Sequence, residues 1–88
     1  MPELCRFYGI IIRMLFNDTS QHHKPHIHVV YSGYRAVIGL DRELLAGFLP
    51  DKQFTLIKAW MIMHEEELYQ RWNLAVQGQQ FEQIEPLR

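Results

Sequence analysis

Between Arg6 and Phe16 the chain is aromatic and β-branched, interrupted once at Gly9. Beyond that glycine it alternates: Ile10, Ile12, Met14 and Phe16 fall on one side, Ile11, Arg13 and Leu15 on the other. A period of two marks an extended strand with two unlike faces. The stretch reads either as one long strand kinked at Gly9 or as the two arms of a hairpin. Residues Asn17 to Gln21 are of the types that bond their own backbone in turns, so extension ends there and a polar loop carrying His22, His23 and Lys24 follows. Pro25 opens a further strand, His26–Tyr31, at a position where its missing N–H costs little. Ser32-Gly33 supplies a two-residue turn, and Tyr34–Leu40 returns antiparallel. Asp41–Phe48 adds a turn and a short edge strand ended by Gly47.

From Phe54 the period becomes helical, with Phe54, Ile57, Met61, His64, Leu68, Trp72 and Ala75 recurring at three- and four-residue steps. Pro50 and Asp51 suit the helix start, and Gln77-Gly78-Gln79 its end. A rod of that length measures about 37 Å, long for so small a sheet, and its end is expected to overhang. Residues Phe81–Leu87 return as an extended segment or a last strand. The expected fold is therefore α+β: a small antiparallel sheet of three to five strands over about residues 4–48, one long C-terminal helix over about 51–76 packed on one face, and an extended tail over about 80–88.

Composition narrows the setting. A chain of 88 residues has room for one domain, and a hydrophobic fraction of 48% leaves apolar surface to spare, so partners are expected. A formal net charge of -1 removes the basic field that drives non-specific nucleic-acid binding, so any nucleic-acid contact needs a local patch. The single Cys5 cannot close an internal disulfide, which points to a reducing cytoplasm. No apolar run is long enough to span a membrane and no targeting segment opens the chain, so no membrane association is expected.

A set of ordered blocks also carries a resemblance: Arg6-Phe7-Tyr8-Gly9-Ile10, Phe16-Asn17-Asp18, Lys24-Pro25-His26-Ile27-His28-Val29, Leu45-Ala46-Gly47, Glu67-Leu68 through Trp72, and Ile84-Glu85-Pro86-Leu87. Together they resemble the prokaryotic domain of unknown function 4160 over nearly the whole chain. The resemblance brings no established activity. It implies a neighbour from another small family, numbered 2442, in an arrangement similar to toxin–antitoxin pairs. The chain departs from the family at Thr19-Ser20-Gln21-His22, where many members have a shorter, proline-richer loop, so roles carried by that loop transfer least.

The histidines are the chemical feature. His26 and His28 are two apart on one expected strand and share a face, with imidazoles about 7 Å apart. Such a pair holds a zinc, nickel or copper ion if His22, His23 or Asp18 swings in as a third ligand. No cofactor is otherwise expected. Without metal, His26 and His28 beside Arg13 or Arg35 have the acid–base chemistry of a small ribonuclease-like toxin. Against both stands the ordinary reading, in which an antiparallel sheet keeps one polar face in water. His64, inside an apolar stripe, reads as a hydrogen-bonded core residue, and Glu65-Glu66-Glu67 as a solvated face. A second helical stripe, Leu56, Trp60, Met63 and Leu74, lies about 120° from the core face. Either the tail folds over it, the slightly favoured option, or it binds protein with Trp60 as anchor, Met63 and Leu56 beside it. Three functions follow: an interaction module, as a homodimer or half of a toxin–antitoxin-like pair; a ribonuclease-like toxin or metal-dependent hydrolase; and a metal-binding regulator. The interaction module, binding protein or nucleic acid, asks least of the histidines and is the expectation adopted.

Overall fold

The computed structural model describes residues 3–15 and 24–87. Five strands follow in chain order, β1 (Glu3–Phe7), β2 (Ile10–Arg13), β3 (His26–Tyr31), β4 (Tyr34–Gly39) and β5 (Leu44–Gly47), and pair antiparallel as neighbours in that same order. The stretch around Gly9 is thus a hairpin: Tyr8 and Gly9 take φ of 50° and 77°, the left-handed pair a two-residue turn of primed type requires, and Phe7 faces Ile10 across it. Ser32 and Gly33, at φ of 45° and 87°, repeat the device between Tyr31 and Tyr34.

Two helices follow, α1 (Asp51–Met63) and α2 (Glu65–Val76), and here the expected single long helix is corrected. His64 leaves helical geometry at φ -122° and ψ 27°. The hydrogen bonding resumes at once, with His64 N donating to Trp60 O at 3.1 Å and Leu68 N to His64 O at 2.9 Å. A straight rod of about 37 Å would overrun the molecule, whose longest extent is 33 Å.

The core lies between the helices and the sheet face that carries Ile10, Ile12, Ile27, Val29, Ala36 and Ile38, all buried together with Ile57, Met61, Leu68, Trp72 and Ala75. The tail folds back as the slightly favoured option required, though without forming a strand. Ile84 N donates to Leu4 O at 2.9 Å, Ile84 is buried, and the indole Nε1 of Trp60 donates to Glu85 O at 2.8 Å. The tail thereby covers Trp60 and the outer edge of the sheet at β1. The opposite edge, β5, is handled differently. Its pairing with β4 shifts register between Val37 and Ile38, leaving Leu45 as an extra residue. At Gly47, φ is 80° and an added Cβ would lie 2.1 Å from Arg35 O, so only glycine lets β5 lie this close to β4.

Candidate functional site

The parity of the strands sets what each sheet face carries. Arg13, His28 and Val37 are partners in one cross-strand row, and Ile11, Val30 and Arg35 in the next. Directly opposed side chains stand about 5 Å apart and diagonal ones about 7–8 Å. His28 therefore has Arg13 across from it and Arg35 on the diagonal, on the face away from the helices. The register holds them there, because a slip by one residue would turn all three toward the core. Leu15, Val30, Val37 and Ala46 fill the spaces between, and the whole lines a concavity of about 360 Å³ running from β2 to the β5 edge. Arg13, His28, Leu15, Val30 and Val37 are half-buried and Arg35 is exposed.

Among the described residues no carboxylate lines this groove, and the His28 imidazole is its one aromatic ring. Among the described residues neither Arg13 nor Arg35 has an ion pair. Elsewhere several charges are matched. Arg6 holds the Glu3 carboxyl below its ordinary range through a 2.8 Å ion pair, with a smaller contribution from the field of Arg13. Lys24 bridges Asp41, at 2.8 Å, and Glu43, which pushes the lysine up and the Asp41 carboxyl down from their usual values.

His26 and His28 do come together, with ring centroids 5.3 Å apart, but they are not equivalent. His26 is fully buried. Its Nδ1 donates to Lys24 O at 2.7 Å, which fixes the proton on that nitrogen, and its ring lies 5.1 Å from that of Trp72. His26 is thus a core residue at the end of β3, and only His28 lines the groove. The remaining expected metal ligands, Asp18, His22 and His23, lie outside the described residues. Among the described residues no three metal-ligating side chains converge.

The expected partner anchors separate as well. Trp60 is fully buried under the tail and cannot serve as an exposed anchor, and Leu56 is half-buried. Met63 is 66% exposed beside Ile62 at 63%, just before the helix break. His64 is the hydrogen-bonded histidine expected, its Nδ1 2.7 Å from Glu67 Oε1. Glu65 is paired with Arg42 at 2.7 Å. Sequence reasoning missed Leu15, Val37 and Ala46 as groove residues, although their alternation with the core positions was the available signal. It also missed the Lys24 cluster, which joins residues far apart in the chain and has no local signal.

A family model described as "Domain of unknown function (DUF4160)" matches residues 9–73. No curated protein and no solved structure matches the chain. No helix among the described residues is long and apolar enough to cross a membrane.

Proposed function

The chain belongs to the family of domains of unknown function DUF4160, and from that premise we propose that it is a non-catalytic recognition module whose open sheet face takes an acidic, aliphatic segment of a protein partner. The observation that supports this reading is the groove: Arg13, His28 and Arg35 on three successive strands, aliphatic side chains between them, and, among the described residues, no carboxylate in the lining. Two unpaired guanidinium groups beside apolar surface favour a ligand with carboxylates spaced along an aliphatic backbone. A single-stranded nucleic acid fits less well, since successive bases bind by stacking on successive aromatic rings, and among the described residues the groove offers only the His28 imidazole. Addition of a partner strand at the sheet edge is disfavoured at both ends, by the tail at β1 and by the bulge and shortness of β5. An acid–base pair of histidines is disfavoured by the burial of His26 against Trp72.

Fluorescence anisotropy with a labelled synthetic peptide of alternating Leu and Glu tests the reading. Binding is expected, weakened by salt and lost in Arg35→Glu, while oligouridylate neither binds nor competes. A peptide that fails to bind, or binds Arg35→Glu equally well, removes the proposal. Cleavage of oligouridylate that depends on His28 would replace it with the ribonuclease-like reading.

A further inference from the structure

The groove calls for an aliphatic, acidic element, and the chain itself carries one. At the break between α1 and α2, Ile62 and Met63 are among the most exposed apolar side chains of the molecule, at 63% and 66%. Three glutamates follow them. Glu65 is paired with Arg42 and Glu67 with His64, so Glu66 alone of the three has no ion pair among the described residues. Across the break, Ile62, Met63 and Glu66 line one shallow surface concavity, which places them side by side. The protein thus presents an unpaired carboxylate beside two exposed aliphatic side chains at one place, and two unpaired guanidinium groups around an aliphatic floor at another.

We infer that the open sheet face of one copy receives the Ile62-Met63-Glu66 knuckle of a second copy, with Glu66 set against Arg35 and Arg13 and the two aliphatic side chains over Leu15, Val30 and Val37. The inference rests on the reading of the groove given above and names its partner. The two elements are charge-complementary, and among the described residues none of Arg13, Arg35 and Glu66 has an ion pair, so contact between copies pairs charges on both sides. The two surfaces are different, so the contact is head-to-tail: it builds rings if the rotation closes and open chains if it does not.

Sedimentation velocity over a range of protein concentrations tests this directly. The wild type is expected to form larger species as concentration rises and to dissociate in high salt. Arg35→Glu and Glu66→Lys both alter exposed side chains, and circular dichroism verifies that each variant folds. Each alone is expected to weaken association by at least about tenfold, because each sets like charges against each other at every contact. An equimolar mixture of the two is expected to associate again, since the reversed groove of one accepts the reversed knuckle of the other. A wild type that stays monomeric at every concentration, or a mixture that does not recover, overturns the inference. If that monomer still binds the Leu-Glu peptide through Arg35, the groove reading survives and only the identity of the partner is wrong; if it binds neither, both fail.

Discussion

The sheet face that carries the groove is itself divided into a covered and an open part, and His26 and His28 show how. Both project from β3 two residues apart, with rings in contact. His26, at the strand's first position, is covered by Trp72 of α2 and bonded to the Lys24 carbonyl; His28, one pleat further on, lines the open groove between two arginines. Strand periodicity assigned them a common side but could not assign them a common solvent. What covers a residue is decided by elements distant in the chain, so two chemically identical side chains on one strand acquire unlike roles. The same holds at larger scale. One face is sealed by two helices and a tail; the other keeps Arg13 and Arg35 without an ion pair among the described residues.

The sharpest way to break this contrast is at the sealed face. Trp60 is fully buried and its indole N–H is bonded to Glu85 O, so Trp60→Ala removes a large side chain and the hydrogen bond that holds the tail against it. A loss of about 3–5 kcal/mol is expected from urea unfolding. A loss under about 1 kcal/mol would mean that the tail does not seal this face and that Trp60 is available as an anchor after all.

The histidines come next in size. His26→Ala removes a buried, hydrogen-bonded ring packed on Trp72 and is expected to cost about 2 kcal/mol, whereas His28→Ala, on the open face, is expected to change stability by less than about 0.5 kcal/mol. Peptide binding should respond in the opposite sense, His28→Ala weakening it and any folded His26 variant leaving it nearly unchanged. Equal effects on stability would erase the distinction on which the non-catalytic reading depends.

Much of this was legible in the residues. The alternation after Gly9 placed Ile10, Ile12 and Met14 inside and Arg13 and Leu15 outside, and the Ser32-Gly33 turn fixed the β3–β4 register that puts Arg35 near His28. The helix break was not legible, because Met63-His64-Glu65 contains no proline or glycine and every residue in it tolerates a helix. The burial of His26 was hidden because the ring that covers it comes from the far end of the chain.

The smallest effect concerns the one carboxylate cluster near the open face's rim. Lys24 precedes β3 and reaches across to Asp41 and Glu43 in the β4–β5 turn, tying the start of the histidine strand to the edge strand. Its partners are largely exposed, so the pair is screened by solvent and worth little at neutral pH. The pH dependence still identifies it. The Asp41 carboxyl is held below its ordinary value of 3.8 by Lys24, so its stabilisation is complete above that value and lost as pH falls through the lower folded one. Lys24 is raised above 10.5 by Asp41 and Glu43, so its share is complete below that value and lost as pH rises through the higher folded one. Asp41→Asn should therefore be slightly less stable than the wild type across the neutral range, with the difference closing at strongly acidic and strongly alkaline pH and shrinking in salt. A difference that persists at low pH would show that Asp41 acts through the 3.2 Å bond it accepts from the Glu43 amide, shaping the turn, and that β3 and β5 are linked only through β4, which pairs with both.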